Sequence, residues 1–249
     1  MKTPKHINDI FTMKNEKRGD AMSNKKWPTP EEVCAYLDKW TKNYLVKVQN
    51  LVIVDDAPTM IKEPRWHVSE VFPSRGKIFQ QREEFLEFLK VVCAAGLHDV
   101  AIEVGLDQGG THMGWRQLFE QVASIEIDIN KCVKFLATNK VDSRSMIICA
   151  DSCDEKTAKI LKKTYKSVDL VFIDGDHQYS SVLCDYKCLS GLVKKGGIIG
   201  FHDTIGRHPS HLGVVKFIKK LISGEIDGRK HNIQLISKNG TGISYEIVE

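Results

Sequence analysis

Residues Asp99–Thr111 read DVAIEVGLDQGGT, an apolar run from Val100 to Val104 that stops at Gly105 and breaks into the turn Gly105-Leu-Asp-Gln-Gly109-Gly110. An amphipathic segment begins at His112. A buried parallel strand that ends at glycines and turns into a helix is how open α/β sheets form a crevice for a nucleotide-sized ligand. Glycine lets the backbone pass close to such a ligand, because no Cβ intervenes. The order here is E-x-G-x-x-x-G-G, with Glu103 ahead of the first glycine. A dinucleotide fingerprint would read G-x-G-x-x-G, with a helix N-terminus facing a pyrophosphate. Taken alone, the stretch could also be a tight turn with no ligand.

Outward from this turn the pattern alternates. Strands are expected at 99–104, 122–127, 145–149, 168–173 and 197–202, separated by helices at 112–121, 130–139, 154–164 and 179–193. A helix at 211–223 and strands at 231–237 and 241–248 follow. Repeated βα units imply a parallel sheet with helices on both faces. The last two strands are separated only by Lys238-Asn239-Gly240, a hairpin signal, so that end of the sheet should be antiparallel. The expected fold is α/β: a doubly wound, Rossmann-like, seven-stranded sheet, mostly parallel, with an antiparallel C-terminal hairpin. Upstream, residues 1–26 are polar, lysine-rich and aperiodic, and read as a flexible tail. Residues 27–75 read as an N-terminal helical extension, in which Val33, Tyr36, Leu37, Trp40 and Tyr44 fall at helical spacing after Pro28-Thr29-Pro30. A further helix over 80–95 leads into the α/β domain, set at 76–249.

Composition narrows the partners. The chain has 249 residues, 42% hydrophobic and 27% charged, with a net charge of +4, ordinary values for a soluble globular protein. No apolar run reaches the length of a membrane span, and no signal-peptide h-region is visible, so a cytoplasmic setting without a membrane partner is expected. The basic pairs Lys162-Lys163, Lys194-Lys195 and Lys219-Lys220 have no interleaved aromatics, and read as solvated faces rather than a nucleic-acid groove. Seven cysteines, at 34, 93, 132, 149, 153, 184 and 188, form no zinc-type pairs and are expected to be reduced thiols. The aromatic helix over 31–45 leaves a homo-oligomer open.

The chemistry-bearing residues sit where the expected strands end. Glu126 closes the second strand roughly 20 residues beyond the glycines, where an acid can hydrogen-bond ribose hydroxyls, whereas Asp128 reads as a helix N-terminal acid. Asp151 ends the third strand and could be a ligand or a helix cap. His112 and Trp115 fit either a pocket or the core. The strongest block is 168–204, VDLVFIDGDHQYSSVLCDYKCLSGLVKKGGIIGFHDT. Its first strand stops at Asp174-Gly-Asp176-His177 and its second at His202-Asp203-Thr204. A buried strand has no structural need for three titratable groups at its tip, and both tips converge beside the glycine turn.

Together these motifs resemble the class I S-adenosylmethionine-dependent methyltransferases, over roughly residues 76–248. The nearest branch is that of the sugar and macrolide O-methyltransferases and the cephalosporin-hydroxylase-associated methyltransferases. The resemblance implies S-adenosylmethionine as cofactor, held by Glu103, Gly105, Gly109, Gly110, Thr111, Glu126, Asp151 and Asp174. Through an Asp-x-x-His pattern it implies His177 as general base, with Asp174 and Asp203 as ligands of a divalent metal such as Mg2+ or Mn2+. His202 stands where the family usually has a carboxylate. Magnesium prefers oxygen ligands, whereas imidazole suits manganese, iron or zinc. His202 is therefore either a metal ligand or a second acid/base group, and Asp176 is an alternative ligand.

The function implied is transfer of a methyl group to a hydroxyl of a small polar acceptor, a sugar or glycosylated metabolite. Two other readings compete: a nicotinamide-dependent oxidoreductase and a non-catalytic module with the same fold. The glycine order and terminal hairpin argue against the first; the joint presence of Asp174, His177 and Asp203 argues against the second. Neither a G-x-S-x-G elbow nor a G-x-x-x-x-G-K-[ST] loop occurs. A β-branched residue at Gly105 or Gly109 is expected to abolish cofactor binding in a protein that stays folded.

Overall fold

The computed structural model describes residues 25–48, 80–139, 141–237 and 240–249, without the side chains of 40–48. The tail over 1–24, the extension beyond residue 48 and the Lys238-Asn239 part of the hairpin turn lie outside the described residues.

Helices α1 (Pro30–Val48) and α2 (Arg82–Ala94) precede the alternating run. That run is β1 (Val100–Val104), α3 (Gly110–Leu118), β2 (Gln121–Glu126), α4 (Ile129–Thr138), β3 (Ser145–Cys149), α5 (Glu155–Thr164) and β4 (Val168–Ile173). It continues through α6 (Tyr179–Leu189), β5 (Val193–His202), α7 (Leu212–Ser223), β6 (Gln234–Ile236) and β7 (Ile243–Ile247). The strand order is β3-β2-β1-β4-β5-β7-β6. Strands β1 to β5 run parallel, and β7 lies antiparallel between β5 and β6. The order reverses between β1 and β4, which opens a crevice at their carboxyl ends.

Strand alternation divides the interior into two cores. Val100, Ile102 and Val104 of β1 pack with residues of α5, α6 and α7. Ala101 faces Val33, Leu37, Phe85, Phe88 and Trp115 of α1, α2 and α3. Helix α1 thus shares a core with the sheet that follows it. Trp115 is fully buried and packs edge-on against Phe85, with ring centroids 5.1 Å apart. His112 is buried too, bonded through Nδ1 to Ser124 Oγ at 2.8 Å and through Nε2 to Ser145 Oγ at 3.1 Å. Burial pushes its pKa down to about 3, so it is a neutral core histidine at physiological pH.

Two sequence expectations change. Strand β5 begins at Val193 rather than 197, across a register shift opposite Val168 and Leu170. Cys153 and Cys184 form a disulfide, with Cα atoms 5.7 Å apart, which corrects the all-thiol expectation; the other five cysteines are free. Proximity is the reason: the turn after β3 lies against α6, a contact between positions 31 residues apart.

The early start of β5 has a use. Lys194 Nζ lies 2.6 Å from Asp169 Oδ1, while Asp169 Oδ2 accepts the backbone N–H groups of His98 and Asp99 at 2.9 and 2.7 Å. Asp169 is 1% exposed. Alanine there would leave two part-buried donors and a half-exposed cation without their acceptor, so we expect Asp169→Ala to cost about 3 kcal/mol. In a thermal melt that is a fall of roughly 6–12 °C for a chain of this size; a shift under 2 °C would show that the carboxylate contributes little.

Candidate active site

A cavity of about 760 Å3 opens at the carboxyl ends of β1, β2, β4 and β5, a size suited to a small-molecule cofactor. At one end lies the glycine turn after β1. Gly105 has φ +91°, and a Cβ built on it would fall 2.1 Å from the Asp174 carbonyl oxygen. The β1 and β4 loops therefore touch backbone to backbone, which only glycine permits. Gly109 has φ +79°, and a Cβ there would strike the Phe135 ring at 2.2 Å. These clashes are with the protein itself. Bulky substitutions at either glycine would disturb the loop and α4 packing, so the expected clean loss of binding in a folded variant does not follow.

Gly105, Gly110, Thr111, Glu126, Asp151 and Asp174 all line the cavity; Glu103 and Gly109 do not. Glu103 is wholly buried behind the turn, where its Oε2 accepts from Ser124 Oγ at 2.7 Å. Burial lifts its pKa well above the usual carboxylate range. Glu126, at the end of β2, is 6% exposed and accepts the N–H groups of Asp107 and Asp128, both at 3.0 Å. It shapes the glycine turn as well as the cavity wall. Asp128 caps α4 through Asn130 N at 2.8 Å. Asp151 accepts from Cys153 N, whereas the cap of α5 is Asp154, bonded to Lys156 N at 2.8 Å.

At the other end four side chains meet around Asp203. His177 Nε2 donates to Asp203 Oδ2 at 2.9 Å. His202 Nδ1 lies 3.0 Å from Asp174 Oδ1 and 3.3 Å from Asp203 Oδ2, and its Nε2 is 3.3 Å from Thr241 Oγ1. Asp203 has φ +60°, a left-handed conformation that is uncommon for a residue with a side chain and recurs at functional sites. The hydrogen bond to Asp203 raises the His177 pKa above the usual histidine value. Burial disfavours charge on His202, but the carboxylates of Asp174 and Asp203 outweigh it and hold its pKa well above normal. Burial acts to raise Asp203, yet His202 and His177 override it and hold the carboxyl far below its ordinary range. The cluster is thus a buried imidazolium between two carboxylates, with a more exposed histidine on its rim.

The sequence reading missed four contributors. Gln80, 1% exposed, donates from Nε2 to Asp174 Oδ2 at 2.7 Å, and its Oε1 has no partner. Glu84 of α2 accepts Gly242 N at 3.2 Å, anchoring the loop that brings Thr241 to His202. His211 lines the cavity with its ring edge-on to His177 at 5.0 Å, and its Nδ1 is 3.5 Å from Asp203 Oδ1. Burial lowers its pKa, so it is neutral. Asp185 of α6 also lines the cavity, bonded to Ser152 Oγ, and burial lifts its pKa to about 6. Asp176 turns aside to Ser181 Oγ at 2.6 Å.

The donor set can be judged for a metal. Ligand atoms of Asp174, His202 and Asp203 lie within 4.8 Å of one another, as do those of His177, Asp203 and His211. Each group contains an imidazole, so the chemistry fits manganese, iron or zinc and not an all-oxygen magnesium site.

With this geometry in view, comparisons with known proteins place the fold. Residues 102–204 match a family described as a methyltransferase domain. A methyltransferase from Podospora anserina, solved with S-adenosylhomocysteine, superposes with a TM-score of 0.57 over 88% of each chain at 14% identity. An O-methyltransferase from Bacillus cereus, also with S-adenosylhomocysteine, gives 0.53 over 86% of this chain and 100% of its own at 17% identity. An uncharacterized protein of Acanthamoeba polyphaga mimivirus is 44% identical over 52 residues, or 21% of this chain and 24% of that relative's length. The chain has the fold of the class I S-adenosylmethionine-dependent methyltransferases. Residues 102–204, from within β1 to just past β5, are the part that matches the methyltransferase-domain family. No helix among the described residues is long and apolar enough to cross a membrane.

Proposed function

We propose that the protein is an S-adenosylmethionine-dependent O-methyltransferase whose acceptor is a hydroxyl of a small polar molecule, a sugar or glycosylated metabolite. The observation that carries this reading is one cavity joining a glycine turn and Glu126 at one end to His177, His202 and Asp203 at the other. Gly105, Gly110, Thr111, Glu126 and Asp151 would hold the cofactor, which supplies a methyl group on a sulfonium. In-line displacement needs mainly alignment of donor and acceptor. A hydroxyl is a poor nucleophile until its proton leaves, and His177 is placed to take it. With Nε2–H given to Asp203, the neutral ring carries its lone pair on Nδ1, and Asp203 then stabilises the imidazolium that forms. The described lining beyond His177 is polar (Gln80, His202, His211, Thr241) and includes no Phe, Tyr or Trp, which suits a hydroxyl-rich acceptor better than a flat phenolic one.

A ligand that binds only the folded state raises its stability, by about 2.7 kcal/mol at a hundredfold excess over Kd. S-adenosylmethionine should therefore raise the melting temperature and NAD should not. No shift with S-adenosylmethionine would remove this reading; a shift with NAD would favour the oxidoreductase. Binding without methyl transfer to any hydroxyl acceptor would instead favour a non-catalytic module.

Asp174, Asp203 and His202, the last only after giving up its proton, would hold any divalent ion, which would lower the pKa of a chelated hydroxyl. Their imidazole leads us to expect manganese to raise the melting temperature more than magnesium at equal concentration. The reverse order would mean that His202 is not a ligand.

A further inference from the structure

A second cavity, of about 280 Å3, lies at the opposite end of the parallel strands. It is lined by Lys25 and Trp27 ahead of α1, Arg116 and Gln117 late in α3, and Arg144 and Ser145 at the start of β3. Its charges do not balance. The Arg116 side chain is 7% exposed, and its Nη2 donates to Asp142 Oδ1 at 2.7 Å. Asp142 Oδ2 also accepts Arg144 through Nε at 3.0 Å and Nη2 at 2.9 Å. One carboxylate therefore serves two guanidiniums. Lys25 pairs with Glu120 and lies 3.9 Å over the Trp27 ring, so the rim holds three cations (Lys25, Arg116, Arg144) against two acids (Asp142, Glu120).

One donor is left over. Arg116 Nη1 is buried and has no hydrogen-bond partner. A guanidinium removed from water needs acceptors for its fixed fork of N–H groups, and leaving one unfilled is costly. The neighbouring Arg144 makes the cost worse, since its charge acts against that of Arg116. His112, a buried base that feels the Arg116 charge, is neutral and already bonded at both nitrogens. The missing acceptor fits an oxyanion from outside the chain, because carboxylate and phosphate oxygens match the arginine fork. Trp27 offers no free stacking face, as its ring stacks on His98 with centroids 4.6 Å apart and carries Lys25 as well.

We propose that this cavity binds the oxyanion of a small molecule, a phosphoryl or carboxylate group, through the guanidiniums of Arg116 and Arg144. The site is separate from the methyl-transfer cavity and does not depend on the reading of that cavity.

Calorimetric titration of the full chain with inorganic phosphate and with citrate, at constant ionic strength, tests it. The expected result is saturable one-to-one binding of at least one anion. Binding should weaken tenfold or more in Arg144→Ala, whose side chain is 44% exposed and dispensable for packing. Lys216→Ala, remote from the cavity, should bind as the wild type does. Prior saturation with S-adenosylhomocysteine should leave the anion affinity unchanged. Phosphate binding alone would assign a phosphoryl ligand, and citrate alone a carboxylate. No saturable binding of either anion, or equal affinity in Arg144→Ala, would overturn the proposal.

Discussion

Replacing His177 by alanine should lower kcat by about 10²–10⁴-fold, the range for losing a general base, while S-adenosylmethionine affinity stays within a factor of two or so. The two measurements separate because the ring sits at the Asp203 end of the cavity, away from the glycine turn. The side chain is 31% exposed, so its removal leaves no large void and the fold should be retained. The wild-type pH profile offers an independent check. A base must be neutral to act, and the hydrogen bond to Asp203 raises the His177 pKa. Turnover should therefore fall on the acid side, with a midpoint above the unperturbed histidine value of about 6.5. Wild-type turnover in His177→Ala would move the role to His211, the neutral histidine 5.0 Å away.

Much of this site could be read from the chain because its parts lie at strand tips. Strands β1 and β4 are buried on both faces, so each is a mostly apolar run, interrupted once by a buried acid (Glu103, Asp169), that stops at Gly105 or Asp174. Glu126, Asp174, His177, His202 and Asp203 were legible for that reason. The start of β5 was not, because Lys194-Lys195-Gly196-Gly197 has the composition of a turn. It becomes strand through pairing with Val168 and Val248, and Lys194 there reaches Asp169 on the neighbouring strand. Asp151 and Asp154 are equally plausible helix caps by type, and the backbone decides for Asp154. Gln80 and Glu84 were invisible for a deeper reason. Their partners, Asp174 and Gly242, lie 94 and 158 positions away, and each is an ordinary helix-terminal residue until the sheet closes. His211 follows a loop with no periodicity, and only the packing of α7 brings it to Asp203. Local pattern therefore located the groups at strand ends, and tertiary contact supplied the residues that orient them.

The sharpest test of that orientation is Asp203→Asn. Asparagine is the right replacement because it tolerates the left-handed backbone at this position, where alanine would add strain. It keeps an oxygen that can accept from His177 Nε2, but it removes the charge. Two consequences follow with separate readouts. The largest support for the raised His177 pKa is lost, so the acid limb of the kcat profile should move to lower pH. The imidazolium formed as the acceptor gives up its proton also loses its counter-charge, so the plateau at high pH should fall by about 10²-fold or more. His202 would keep Asp174 as a partner at 3.0 Å, so the β5 tip should stay in place and circular dichroism should be unchanged. A shifted limb with an unchanged plateau would mean that Asp203 sets the charge state of His177 without assisting the chemical step. An unmoved limb with a lowered plateau would mean that a group other than His177 titrates on the acid side. If neither changes, the pairing of His177 with Asp203 has no part in turnover.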